Sequence, residues 1–221
     1  MSLPRPPKAV VFDMDGLLVD TEVVYREAML AAALADGLEF PDELFRSLIG
    51  LSWPANAEIL QGHYGPRFDP EAFKIETVRR FHDLLHAGVA LKAGVLEILD
   101  LLDEIGIPRG VATSSGREAV DHHLGGHGLL DRFHAIKAAG DYARSKPASD
   151  PYLAAAEALG VPPEHCLALE DSHNGVRAAA AAGMMTIMVP DLLDPTEEMR
   201  SLCIRIARDL HEVLDLIRAT G

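Results

Sequence analysis

Two aspartates one residue apart, Asp13 and Asp15, interrupt an apolar run in the segment VVFDMDG, Val10 to Gly16. A short apolar run closed by a glycine turn has the pattern of a buried strand, and residues i and i+2 of a strand share a face. Both carboxylates can therefore meet one substrate or one cation near the strand's C-terminal end, where open α/β sheets bind their ligands. Two anions that close are stable together only with a cation or a shared proton. Read alone, the motif also fits a plain acidic turn. A second acid pair, Glu170-Asp171, closes the run HCLAL. Two such pairs suggest a divalent cation held by oxygen ligands, and Mg²⁺ is the usual choice for phosphate chemistry. Thr113-Ser114-Ser115-Gly116 ends another apolar run and opens a helix. Hydroxyls and backbone N–H groups at a helix N-terminus suit an oxyanion, although simple capping would account for them. Lys146 precedes Pro147 in a loop; a fixed ammonium there offsets charge between a nucleophile and a phosphate, and by itself it reads as a surface lysine.

These residues act together only if the elements bring them to one edge. Thr21 to Asp36 is rich in Ala, Leu and Glu, with Asp20 or Thr21 as N-cap and Gly37 as stop, and predicts a helix. Pro41 to Leu48, Pro54 to Gln61 and Pro70 to His86 follow with helical periodicity, proline near their starts and no strand-like stretch between them. From Gly94 onward, helical segments alternate with short apolar runs: PRGVATSS, FHAIKAA, HCLALEDS and MMTIMVP. That alternation is the signature of βαβ units and a parallel sheet. The economical reading is an α/β core domain, residues 1–18 and 92–221, with an all-helical domain, 19–91, inserted after the first strand. The strand ends at Asp13, Thr113, Lys137 and Glu170 would then open on one edge. The crossings near residues 18–20 and 88–92, with Gly88, are the expected hinges.

At 221 residues the chain is long enough to bury a core without a cofactor. Its 34 acidic residues against 20 basic ones give a net charge of −14 and argue against nonspecific binding to nucleic acid or anionic membrane. An anionic substrate must be captured locally. Cys166 and Cys203 lack a CxxC neighbour and read as reduced core thiols. The first ten residues lack the apolar core of a signal peptide, and no run approaches the ~18 residues of a membrane span. We expect a cytoplasmic protein, and nothing in the pattern demands more than a monomer. His122, His123 and His127, and the pair His82 and His86, read as solvated helix surface; the pair lacks the Glu of an HExxH zinc motif.

Four motifs in order, DMDG at 13–16, VATS at 111–114, SKP at 145–147 and LEDSHNG at 169–175, resemble those of the haloacid dehalogenase superfamily of phosphotransferases. VVFDMDGLLVDTE looks like the branch that contains β-phosphoglucomutase and small sugar-phosphate phosphatases. The resemblance covers nearly the whole chain and implies a Rossmann-like core with an inserted helical cap. It assigns Asp13 as a nucleophile that forms an aspartyl-phosphate with a phosphomonoester, and Asp15 as general acid and base. Thr113 and the N–H groups after it, from Ser114 on, would hold phosphoryl oxygens, with Lys146 bridging phosphate and nucleophile. Mg²⁺ would sit on Asp13, Asp15 (mainly through its main-chain carbonyl), Glu170 and Asp171. Substrate choice would lie in the cap, at the loop Gly50-Leu51-Ser52-Trp53 and at Tyr25, with Arg80 a further contributor. In the resembling mutases the place of Trp53 holds an arginine for a second phosphate, and that of Tyr25 a histidine. Their absence favours hydrolysis of a small phosphorylated metabolite over mutase chemistry, while Trp53 equally suits cap packing. Competing readings are a β-phosphoglucomutase-type phosphotransferase, a phospho-acceptor receiver module, a dehalogenase, and a non-catalytic binding protein. The helical insert and second acid pair argue against a receiver, and the retained acids against a dehalogenase.

Overall fold

The computed structural model describes residues 3–49, 53–86 and 88–220. The chain forms two compact units, Met1–Asp20 with Ala90–Gly221, and Thr21–Val89. Each boundary lies two residues from the one read in the sequence. The first strand, β1 (Ala9–Phe12), leads into the helical unit, made of α1 (Thr21–Ala35), α2 (Asp42–Leu48), α3 (Trp53–Tyr64) and α4 (Pro70–His86). The chain then returns through α5 (Val95–Glu104), β2 (Arg109–Gly116), α6 (Arg117–Gly126), β3 (Ala135–Ala139), α7 (Asp150–Leu159) and β4 (Cys166–Glu170). It closes with α8 (His173–Ala181), β5 (Met185–Met188), α9 (Glu197–Leu202), β6 (Arg205–Ile206) and α10 (Leu210–Arg218).

The six strands make one parallel sheet in the order β3-β2-β1-β4-β5-β6, the Rossmann-like α/β arrangement expected. The chain winds outward from β1 in both directions, so the switch point lies at the C-terminal ends of the central strands. Val10, Val11 and Phe12 are fully buried on both faces of the sheet, which is why β1 reads as an unbroken apolar run. On one face the core is built from small residues: Ala9, Ala112 and Ala168 of the strands meet Ala155 and Ala156 of α7 and Ala178 and Ala179 of α8. Side chains that small let the helices approach the sheet closely, which accounts for the alanine run that opens at Ala178.

Three features differ from the sequence reading. First, β2 continues to Gly116 and α6 starts only at Arg117, so Thr113 lies in a strand rather than at a helix N-terminus. The register of β2 on β3 shifts between Ala112, paired with Lys137, and Gly116, paired with Ala139. Four steps along β2 thus match two along β3, and Thr113 to Ser115 leave the ladder as a bulge. Second, the chain after Pro190, where the apolar pattern marks no element, forms α9, β6 and α10. Third, His123 is buried on the inner side of α6 with its Nδ1 unpartnered, not solvated. Cys166 is buried and Cys203 partly so, both free. No helix among the described residues is long and apolar enough to cross a membrane.

The two crossings are tied together within the first unit. Val19 and Leu91 form an antiparallel bridge, Asp20 N–H donates to the Ala90 carbonyl at 2.9 Å, and Lys92 N–H to the Leu18 carbonyl at 3.0 Å. Lys92 Nζ adds an ion pair to Asp191 at 2.7 Å.

The helical unit has its own core of Met29, Ala33, Phe40, Leu44, Phe45, Leu60 and Phe73, against which Tyr25, Trp53, Tyr64 and Phe68 pack. Arg26 pairs with Asp42, linking α1 to α2.

Glu212 anchors the last helix. Its N–H donates to the capping Asp209 carboxylate at 2.8 Å, while its own carboxylate accepts from Arg205 Nη2 at 2.7 Å, Arg208 Nε at 3.0 Å and the Arg208 main-chain N–H at 3.1 Å, a capping box whose return bond falls on the residue before the N-cap. The hydrogen bond from Arg205, aided by Arg208, pulls the Glu212 pKa down to about 2 from its ordinary 4.5. A pKa depressed in the folded state stabilises above the unfolded value and loses that contribution as pH falls through the folded one. Glu212→Gln should therefore lower Tm at pH 7 by about 2–4 °C. In thermal melts the gap between variant and wild type should close as pH falls from 4.5 to 2.

Candidate active site

Register places the first pair of site residues. Phe12 of β1 stands opposite Leu169 of β4, and Asp13 N–H extends that ladder by donating to the Leu169 carbonyl at 3.0 Å. Asp13 therefore leaves β1 beside Glu170, the last residue of β4. Lys146, from the loop before α7, reaches between them: its Nζ lies 2.5 Å from Asp13 Oδ1 and 2.5 Å from Glu170 Oε1. The lysine side chain is only 6% exposed, that of Asp13 9%, and that of Glu170 is fully buried. Burial alone would strip the proton from Lys146, but Asp13 and then Glu170 outweigh it and raise its pKa, so the group is a fixed ammonium.

Glu170 is the most heavily bonded side chain of the cluster. Its Oε1 accepts from Lys146 and from the Tyr152 hydroxyl at 2.8 Å. Its Oε2 accepts from Asp171 N–H at 3.1 Å, Ser172 N–H at 3.0 Å and Ser172 Oγ at 3.0 Å. Burial would raise its pKa; Lys146 and these donors reverse that and lower it. Gly175 is required beside it, because a Cβ there would fall 1.6 Å from Glu170 Oε1.

Asp13 and Asp171 are less well compensated. Burial, against the pull of Lys146 and with the push of Glu170, lifts Asp13 to about 7. Burial and the neighbouring Glu170 and Asp13 carboxylates raise Asp171 well above the usual range. Asp171 Oδ1 is buried without a partner. Gly16, with φ +77°, lets Asp171 lie against the turn after Asp15; a Cβ there would meet Asp171 Oδ2 at 2.3 Å. Asp13, Glu170 and Asp171 each bring an oxygen within 4.8 Å of the others. An all-oxygen set with one orphaned carboxylate oxygen fits a hard divalent cation. Glu170, whose two oxygens already take five donors, is the most committed of the three, whereas Asp171 keeps an oxygen with no donor.

Asp15 is turned away from that set. Its Oδ2 accepts from Ser115 Oγ at 2.7 Å and from Thr113 Oγ1 at 3.3 Å. The bulge in β2 makes this contact, since it swings Thr113 and Ser115 off the ladder toward Asp15. Thr113 Oγ1 also accepts from Ser115 N–H at 3.0 Å, and the Thr113 carbonyl takes the Tyr142 hydroxyl at 2.7 Å. Ser114 sits exposed between the two.

The first unit thus gathers Asp13, Asp15, Thr113, Lys146, Glu170 and Asp171 from three strand ends and one loop. Ser115 and Tyr152 join them without having been singled out in the sequence. The acid at 15 and the hydroxyl run at 113–115 hinted at the first of these, whereas only the helical spacing after Lys146 pointed toward the second. Trp53 and Tyr25 belong to the helical unit. Trp53 Nε1 donates to Glu71 at 2.5 Å under Lys74, 5.0 Å from the indole centre, and Tyr25 stacks edge-on against Phe81. Gly50, Leu51 and Ser52, and the His86 side chain, lie outside the described residues.

Residues 7–183 match the sequence pattern of the haloacid dehalogenase-like hydrolases. The chain is 36% identical over 201 residues to the plasmid protein CbbY of Cupriavidus necator, covering 83% of this chain and 78% of that protein. It is 35% identical over 199 residues to hexitol phosphatase B of Escherichia coli K12, covering 86% of each. A haloacid dehalogenase family hydrolase from Deinococcus radiodurans, solved with bound phosphate and sodium, superposes with a TM-score of 0.82 at 26% identity over 98% of this chain and 97% of that one. A parallel sheet whose central strand ends in paired carboxylates, a buried lysine between two of them, and a match spanning both units lead to one assignment: the chain belongs to the haloacid dehalogenase-like hydrolase family.

Proposed function

We propose that this protein is a Mg²⁺-dependent phosphatase of a small phosphomonoester, a sugar phosphate or similar metabolite, working through Asp13. The observation that carries the reading is the buried Lys146 ammonium, 2.5 Å from Asp13 and from Glu170. It secures a cation beside a carboxylate that burial otherwise leaves without its charge. An Asp13 oxygen attacks phosphorus, forming one O–P bond while the ester O–P bond breaks, and the departing oxygen takes a proton from Asp15. Water then attacks the aspartyl-phosphate, gives its proton to Asp15, and releases inorganic phosphate and the Asp13 carboxylate. Ser115 and Thr113 hold the Asp15 side chain in place for both transfers. Lys146 and the Ser114 N–H neutralise the phosphoryl oxygens, which is most of what phosphoryl transfer asks of a protein. Mg²⁺, when bound, supplies the remaining positive charge; Asp13, Asp171 and the main-chain carbonyl of Asp15 would hold it, with Glu170 as the support of that set.

The helical unit favours a single phosphate over two. Residues 21–89 hold eleven acids and six bases, and Arg80 is engaged by Glu76 at 2.7 Å. Trp53 stands where the mutase reading needs an arginine, and its indole is itself bonded to an acid. Hydrolysis of a monophosphate therefore stands ahead of mutase chemistry through a bisphosphate.

Phosphate release should be measured over a panel of hexitol, hexose, pentose and glycerol monophosphates, phosphoglycolate and nucleoside monophosphates. We expect Mg²⁺-dependent turnover of at least one, lost with EDTA and reduced to background in Asp13→Asn. Isomerisation of a sugar 1-phosphate primed by a bisphosphate, with no hydrolysis, would replace this reading with the mutase. Ser115→Ala should lower kcat about tenfold, the worth of one hydrogen bond to a charged acceptor, and Thr113→Ala by less, in keeping with its longer contact. Equal kcat in Ser115→Ala and wild type would remove Asp15 from the proton-transfer role assigned to it.

A further inference from the structure

Tyr152 has no part in the steps above, yet it is fully buried in α7 with its hydroxyl 2.8 Å from Glu170 Oε1 and its ring centre 5.1 Å from Lys146 Nζ. The surrounding core, Val11, Ala112, Ala155 and Ala168, is apolar. A phenylalanine would fill the same volume there without bringing a polar atom that must be satisfied. The hydroxyl is thus spent on one acceptor, the Glu170 oxygen that also holds the lysine. Lys146 is shared at equal distance by two carboxylates, so whichever anion is less well served by other donors draws it. Oε2 of Glu170 is occupied by the turn at Asp171 and Ser172. Among the described residues only the Tyr152 hydroxyl joins Lys146 on Oε1, and it does so without adding charge, while the ring face borders the ammonium with its negative quadrupole.

The geometry points to Tyr152 as a positioning residue for the reaction: by taking up part of Glu170 Oε1 it keeps the Lys146 ammonium shared with Asp13 rather than drawn wholly to Glu170. The effect is on Lys146, whose contact with the transferring phosphoryl group matters most in the transition state, so turnover should suffer more than substrate binding. This assignment rests on the phosphatase reading for its kinetic consequence only.

Tyr152→Phe tests it, since the ring and the packing remain. We expect kcat to fall about tenfold with KM within twofold of wild type and Tm lowered by no more than about 5 °C. Independently of activity, the ¹H–¹⁵N resonance of the Lys146 ammonium, assigned by its loss in Lys146→Arg, should shift in the metal-free Tyr152→Phe protein. An unmoved resonance overturns the proposal whatever the kinetics, and so does a moved resonance with kcat per folded molecule unchanged. If the wild-type protein hydrolyses no phosphomonoester, the phosphatase reading falls, and the ammonium resonance alone decides whether Tyr152 positions the lysine.

Discussion

One cation stands among four acids. Among the described residues Lys146 is the single basic side chain bonded to the cluster of Asp13, Asp15, Glu170 and Asp171, and it is taken out of water with the two carboxylates it joins. Removing one member of a buried ion pair typically costs about 3–5 kcal/mol because the other charge is stranded. The surroundings of Glu170 follow from this constraint. Its second oxygen is filled by main-chain and serine donors, Gly175 gives it space, and the helix α8 starts where those donors are needed. The charge left over, on Asp13 and Asp171, is what a divalent cation would answer.

The sheet supplies that arrangement at small cost to the rest of the fold. Because β1 occupies the middle of the order, its C-terminal end is flanked by β4 on one side and β2 on the other. The first neighbour brings acids and the second brings hydroxyls. The β2 bulge then converts a regular strand end into two hydroxyl donors aimed at Asp15. A regular ladder would have stood Thr113 and Ser115 out of one face of the sheet, with Ser114 on the other.

Much of this was legible in the residues. The apolar runs ending in acids at Asp13 and Glu170 gave the strand ends, because strands buried on both faces carry no alternation to hide them. The helical stretch from Thr21 to His86 stood out by its proline-started, strand-free periodicity. What stayed hidden was what depends on orientation. Asp13 and Asp15 share a spacing that suggests a common face, yet both lie beyond the end of β1 and their carboxylates take separate partners. The hydroxyl of Tyr152 looks like one more core aromatic until its acceptor is seen, and His123, in a histidine-rich helix, is covered rather than wet. The strand β6 has two residues, too short for any periodicity to mark it.

The paired crossings bear on how such a chain can diversify. Val19 and Leu91 are bridged and Asp20 reaches Ala90 through a 2.9 Å hydrogen bond, so the segment between them starts and finishes at one spot on the core. Loop closure is settled by that short ribbon, and lengthening or shortening what it encloses changes the closure entropy only logarithmically, by about 0.6 kcal/mol per doubling. The core can therefore keep its chemistry while the enclosed module is exchanged for another of different size, which makes the ribbon a natural splice point for recombining specificities.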